Sequence, residues 1–217
     1  VQCIGPDWYY TAAMSCARLG ATITRQCNIA HGIPIEVCIY SVRLAKWTHE
    51  NVMPSVVLKN NLCTAAAIRG RLDVLQWARA NDYLWNEYTC TYAALNGHLA
   101  VLQWARANGC PWNEDTCANA AENGHLAVLQ WARANGCSWN KWTCVYAAKN
   151  GHLATLQWAR ANGCPWDEWT CATAAMHGHL EVLQWARANG CPWNWRVITY
   201  GIAEVVAWAR ANGCPEI

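Results

Sequence analysis

The chain repeats one segment of its own sequence at a fixed interval. Residues 97–110 are identical to residues 124–137. The heptapeptide LQWARAN, or its last variant VAWARAN, stands at residues 75–81, 102–108, 129–135, 156–162, 183–189 and 206–212. A fixed period of about 20–50 residues is the signature of a repeat protein, in which each unit packs only against its neighbours. The fold must therefore be built from one stacked unit.

One unit of the repeat predicts a pair of short helices. The first has Thr116 as its N-cap and one face of small residues formed by Cys117, Ala120 and Ala121. The second covers residues 126–135 and is followed by a glycine, which favours a helix end. Helices of two to three turns are not stable alone in water. The sequence therefore predicts an all-α solenoid of stacked helix-turn-helix units.

Each unit carries tryptophan in two places. Trp131 and its equivalents lie on the apolar side of the second helix, so we expect them to fill the core between adjacent helix pairs. Trp112, Trp139 and Trp166 follow that helix in the connecting loop. Two alternatives remain open for the loop tryptophans, which either cover the neighbouring repeat's loop or are available to a partner.

The regular array extends over residues 63–217. Its last copy departs from the period, because Trp208 follows Trp185 at a shorter interval than the other copies keep. Residues 1–62 are interpreted as degenerate N-terminal repeats or a capping region. KWTHENVMP at residues 46–54 keeps the spacing of tryptophan, asparagine and proline, and residues 1–36 contain a still more eroded candidate unit.

The pattern Thr-Cys-x-x-Ala-Ala-x-Asn-Gly-His-Leu-x-Val-Leu at residues 116–129 resembles the ankyrin repeat. In that family a helix ending in Ala-Ala-x-x-Gly-His is followed by Leu-Glu-Val-Val, and GHLEVL at residues 178–183 is closer still. The repeat of this chain is shorter than the family's usual length of about 33 residues, so the resemblance implies shortened loops. It also implies a protein-binding role for the first helices and loop tips, which line the concave face in this family.

Charge and motifs argue against several other functions. The formal net charge is only +2, which provides no broad field for nucleic acid or an anionic membrane. One arginine per unit (Arg106, Arg133, Arg160 and Arg187) forms a ladder, which is either a solvated helix end or a single-stranded nucleic-acid site. No nucleophile and base recur at catalytic spacing, so we expect no enzyme and no cofactor.

The fourteen cysteines are interpreted as small packing side chains, with disulfides or a bound metal as the alternatives. No Cys-x-x-Cys pair supports a zinc site. A reducing intracellular compartment, the cytoplasm, fits this use of cysteine. No apolar run is long enough to predict a membrane-spanning helix.

Function is expected where the copies disagree, because the shared residues are needed for stacking. The variable positions form an exposed stripe on the first helix and continue in the loop, to which we assign Asp115, Lys141, Trp142, Trp169 and Trp195. The predicted partner-binding residues are Tyr92, Leu95, Asp115, Asn119, Glu122, Lys141, Trp142, Tyr146, Lys149, Trp169, Thr173, Met176 and Trp195. We expect a protein partner of unidentified nature, bound by an adaptor, linker or scaffold. The alternatives are a permanent structural subunit of a larger assembly and surface drift after duplication.

Overall fold

The computed structural model describes residue 39 and residues 41–51 and 56–216. The candidate unit in residues 1–36 lies outside the described residues. Every element of the described part is helical. The helices are α1 (Val42–Asn51), α2 (Val56–Ile68), α3 (Leu72–Ala80), α4 (Glu87–Leu95), α5 (Leu99–Ala107), α6 (Glu114–Glu122), α7 (Leu126–Ala134), α8 (Lys141–Lys149), α9 (Leu153–Ala161), α10 (Glu168–Met176), α11 (Leu180–Ala188), α12 (Arg196–Tyr200) and α13 (Ala203–Ala211).

The first helix of each unit begins earlier than the sequence indicated. Asn113 is the N-cap of α6, and its side-chain oxygen accepts a hydrogen bond from the backbone N–H of Asp115 at 3.1 Å. Asn140 and Asp167 cap α8 and α10 in the same way. The prediction of Thr116 as the N-cap is therefore wrong. Its side chain is buried inside the first turn, where the hydroxyl has no hydrogen-bond partner.

The Gly-His step between the two helices of a repeat contacts the next repeat. Gly124 has a φ of 69°, and a Cβ atom placed there would lie 2.6 Å from Nδ1 of His152 in the next unit. Gly97 and His125 make the same close approach. Glycine is thus required for two reasons, because the backbone is left-handed and because the next histidine occupies the space.

The described residues cluster into two compact units, of which the first comprises residues up to Cys90 together with Ala100–Cys110. Within it, α3 packs against both α1 and α2. Leu62 and Leu75 are fully buried, and so is Tyr83, whose hydroxyl lies 3.1 Å from Nδ1 of His49.

The second unit comprises Thr91–Leu99 and Pro111–Ile217. In it α8 packs between α6 and α10, α10 also packs against α12, and each of these helices contacts the second helix of its own pair. Hydrogen bonds reinforce the stack, because Asn150 donates from Nδ2 to the carbonyl oxygen of Glu122 at 2.6 Å and Asn123 donates to that of Leu95 at 2.7 Å. Stacking of helix pairs is thereby confirmed for this unit.

Small and medium side chains form the core of the second unit. Leu129, Cys117 and Cys137 are fully buried, as are their equivalents in the next two repeats. Trp131 is only half-buried, so the prediction that this tryptophan fills the core is wrong. The ten cysteines in the described part of the chain are free and buried, which agrees with a packing role. None of the described helices has the length and apolar character needed to cross a membrane.

Candidate partner-binding surface

The variable residues that were assigned to the loop lie in the first turn of the first helices. Asp115, Trp142 and Trp169 occupy the second position of α6, α8 and α10, and Lys141 is the first residue of α8. Their assignment to the loop is therefore wrong. The earlier helix start brings them onto the same helices as the rest of the predicted stripe.

All thirteen predicted residues are at least partly exposed. The largest apolar exposures among them are those of Trp142, at 42%, and Met176, at 39%, while Tyr92 is at 36%. Two further residues of the second unit, Arg196 and Tyr200, lie on α12 and are also accessible to solvent. We call the thirteen predicted residues together with Arg196 and Tyr200 the first-helix face.

Aromatic side chains contact one another along this face. The ring centroids of Trp142 and Tyr146 lie 5.7 Å apart, and those of Trp195 and Tyr200 lie 6.1 Å apart. Paired rings of this kind gain from their mutual contact and lose little conformational freedom when a partner covers them. The first-helix face therefore presents pre-ordered apolar area.

Two ion pairs cross between adjacent first helices on this face. Nζ of Lys149 lies 3.2 Å from a carboxylate oxygen of Glu122, and Nζ of Lys141 lies 2.7 Å from one of Asp167. The hydrogen bond to Asp167, reinforced by the charge of that carboxylate, raises the pKa of Lys141. Nζ of Lys141 also lies 5.6 Å from the ring centroid of Trp142, and Nζ of Lys149 lies 5.8 Å from that of Tyr146. Both cations are thus engaged within the array.

Two of the predicted polar side chains already form hydrogen bonds within their own helices. Asn119 donates from Nδ2 to the carbonyl oxygen of Asp115 at 2.8 Å. The hydroxyl of Thr173 lies 2.8 Å from the carbonyl oxygen of Trp169. These two side chains therefore offer less hydrogen-bonding capacity to a partner than the sequence suggested.

Sequence reasoning missed Arg196. Its guanidinium carbon lies 4.9 Å from the ring centroid of Trp169 and 4.8 Å from that of Trp195. The signal was present in the register, because Arg196 follows Trp169 by one full period of the repeat. The predicted set includes the neighbouring Trp195 but not the arginine.

The loop tryptophans contact the second helices of the array. The ring of Trp139 lies 5.9 Å from that of Trp158 on the next second helix, and the same edge-on contact joins Trp112 to Trp131. The loop tryptophan therefore contacts the second helix of the next repeat rather than that repeat's loop, and it remains partly exposed. The contact also accounts for the half-burial of the helix tryptophan.

The arginine ladder holds these loops in place. Arg133 lies over Trp139 at 4.1 Å and donates from Nη1 to the carbonyl oxygen of Cys137, and Arg160 makes the same two contacts with Trp166 and Cys164. The arginines are thus structural clamps. A phosphate ligand would have to compete with an existing carbonyl acceptor and a stacked indole.

The surroundings of two buried thiols, Cys63 and Cys171, favour the protonated form. Burial raises the pKa of Cys63 to about 12. A hydrogen bond with Cys191, together with burial, raises the pKa of the Cys171 thiol. Sγ of Cys137 donates to the carbonyl oxygen of Asn113 at 3.2 Å, which ties the end of one helix to the start of its pair. Within the described residues, no group of three or more histidine, cysteine or acidic side chains is placed to hold a metal ion.

Comparison with known proteins agrees with this architecture. The family model described as "Ankyrin repeats (many copies)" matches residues 144–187. The crystal structure of the human ASB11 ankyrin repeat domain superposes with a TM-score of 0.54 at 17% identity, covering 70% of this chain and 83% of that domain. No curated protein sequence matches the chain. The helix pairs and their Gly-His steps thus have the ankyrin repeat fold with a shorter repeat, and residues 144–187 match the ankyrin repeat family model.

Proposed function

We propose that this chain is a non-enzymatic protein-interaction module, an adaptor, linker or scaffold, which binds a protein partner through the first-helix face. The observation that carries the proposal is the row of accessible aromatic side chains on that face, at positions where the repeats differ. Trp142, Tyr146 and Trp169 lie there on two neighbouring helices. Large aromatic side chains dominate the energetics of protein interfaces.

The contrast between the two sides of the array supports this assignment. Several side chains that recur between copies pack in the core or clamp loops, as Leu129, Arg133 and Trp139 do. The thirteen predicted side chains differ between copies, are accessible, and carry both aromatic groups and charges of either sign. A recognition surface needs this variety, whereas stacking requires uniformity.

A permanent structural subunit of a larger assembly is the alternative function. It would cover the same first-helix face but would not release it. Single-stranded nucleic-acid binding is less favoured, because the guanidinium groups of the ladder are engaged with indoles and carbonyl oxygens. The ten free, buried thiols of the described residues fit a reducing compartment such as the cytoplasm.

The test is capture of the partner from a native extract with the intact chain and with two variants. The first variant changes Tyr92, Tyr146 and Trp169 to alanine. The matched control changes Gln130, Gln157 and Gln184 to alanine, three exposed side chains of the second helices. We expect the captured protein to be lost with the first variant and kept with the control. Equal capture by both would refute the first-helix face, and release of the bound protein on dilution would exclude a permanent subunit.

A further inference from the structure

Arg196 presents a cation beside two indole rings of the first-helix face. Its guanidinium carbon lies within 5 Å of the ring centroids of both Trp169 and Trp195. All three side chains are half-exposed. Contact with the two indoles restricts the motion of the guanidinium and reduces its contact with water, which strengthens any ion pair that it forms.

Arg196 differs from the other cations of the face in its charge balance. Lys141 and Lys149 each have a carboxylate partner on an adjacent helix. No acidic side chain of the described residues lies within ion-pair distance of Arg196. The face therefore holds one positive charge whose counter-ion is not supplied by the described chain.

We propose that Arg196 is a recognition site for the carboxylate of an aspartate or glutamate side chain in a partner peptide segment. This inference rests on the proposed function and specifies the partner's chemistry. Guanidinium presents parallel N–H groups that match a carboxylate, and the neighbouring indoles accept apolar residues beside the acid. The partner segment thus carries an acidic residue with apolar neighbours and places them on Arg196 and Trp169.

The single positive charge selects a carboxylate side chain over more highly charged ligands. Phosphate groups and nucleic acid are usually bound by several cations together. Here the two lysines of the face are neutralised by Glu122 and Asp167, and the net charge of the whole chain is only +2. A ligand with one negative charge is the better match.

The test uses a random peptide library fused at its C-terminus to the display protein, so that only side chains provide carboxylates. The library is selected against the whole chain, and a synthetic amidated form of an enriched peptide is titrated by calorimetry. We expect the enriched peptides to share an aspartate or glutamate next to apolar residues. Replacing that acid with its amide should weaken binding roughly 10-fold or more, as should Arg196→Gln.

Two further variants separate charge from geometry and from folding. Arg196→Lys keeps the charge but loses the planar fork, so we expect an intermediate affinity. Arg210→Gln removes the same charge from an exposed side chain on the second helix α13 and should leave binding unchanged. Circular dichroism of each variant verifies the fold.

The outcomes distinguish this inference from the proposed function. Peptides that lack a shared acid, an absence of binding peptides, or equal affinity of the intact chain and Arg196→Gln would each overturn the carboxylate site. If enriched peptides without a shared acid lose affinity when Tyr92, Tyr146 and Trp169 are changed to alanine, the proposed function stands without the carboxylate site. If that triple variant also binds normally, both proposals fail.

Discussion

The guanidinium carbon of Arg160 lies 4.1 Å from the centroid of the Trp166 indole, and the same guanidinium donates to the carbonyl oxygen of Cys164. One side chain thus fixes both the end of its own helix and the loop that follows. Trp166 then contacts Trp185 on the next second helix, 5.9 Å away. This chain of contacts explains why LQWARAN recurs, because each copy must hold one loop and receive another.

Arg160→Ala should therefore destabilise the array. The variant loses a half-buried stack on Trp166 and a charge-assisted hydrogen bond, which together contribute about 1–3 kcal/mol to the free energy of unfolding. Thermal unfolding should show a melting temperature lower by several degrees. Gln157→Ala, on an exposed position of the same helix, should shift it little. Equal shifts would contradict the clamp.

The Gly-His contact predicts different costs at two glycines of one repeat. Gly124→Ala and Gly136→Ala both place a Cβ atom on a left-handed backbone, with φ of 69° and 83°. Each should lose about 1–2 kcal/mol from this strain alone. Only Gly124→Ala also drives the new atom against His152, whereas nothing lies within 4 Å of the site at Gly136.

The free energy of unfolding, measured with urea, should accordingly fall more for Gly124→Ala than for Gly136→Ala. A double variant with His152→Ala should recover part of the difference, because the obstructing ring is removed. Similar losses in the two single variants would mean that the histidine does not pack as described.

The helix start provides a third prediction. Asn113→Ala removes the side-chain acceptor that caps α6 and should cost about 1 kcal/mol. Thr116→Val replaces a buried hydroxyl that has no partner and should be neutral or stabilising. Urea unfolding of the two variants tests the assignment, and the opposite ranking would restore Thr116 as the cap.

A fourth prediction concerns pH. Burial lowers the pKa of His125 below its usual value of 6.5, so the folded protein favours the neutral ring. The unfolded chain takes up this proton first as the pH falls, and the stability that depends on the neutral ring is present above about pH 6.5 and declines below it. The melting temperature should drop between pH 7.5 and pH 5.5. His125→Gln should reduce that drop, and an unchanged drop would contradict the assignment.

The sequence predicted the helix pairs well because period, glycine positions and apolar spacing all point to the same unit. It misplaced the cap, since Thr116 and Asn113 are both suitable residues and only the Asn or Asp repeated at 113, 140, 167 and 194 favours the earlier start. The position of Trp131 could not be derived from one helix. Its half-burial depends on the contact with Trp112 from the preceding loop, which is a property of the stack.

The accessible stripe was predicted because it depends on differences between copies, which are visible in the sequence. The contacts within the stripe were not predicted. The Lys141–Asp167 and Lys149–Glu122 pairs join residues about one period apart, so they depend on how the repeats stack. Arg196 was missed because the predicted set took Trp195 from this part of the chain and left out the residue one period after Trp169.

The most direct test of the central claim is the affinity of the captured partner for three forms of the chain, measured by calorimetry. We predict that the change of Tyr92, Tyr146 and Trp169 to alanine weakens binding roughly 10-fold or more, because aromatic anchors dominate such interfaces. The change of Gln130, Gln157 and Gln184 to alanine should alter it less than about 2-fold. Loss of affinity in the glutamine variant with full affinity in the aromatic variant would place the binding site on the opposite side of the array and contradict the account.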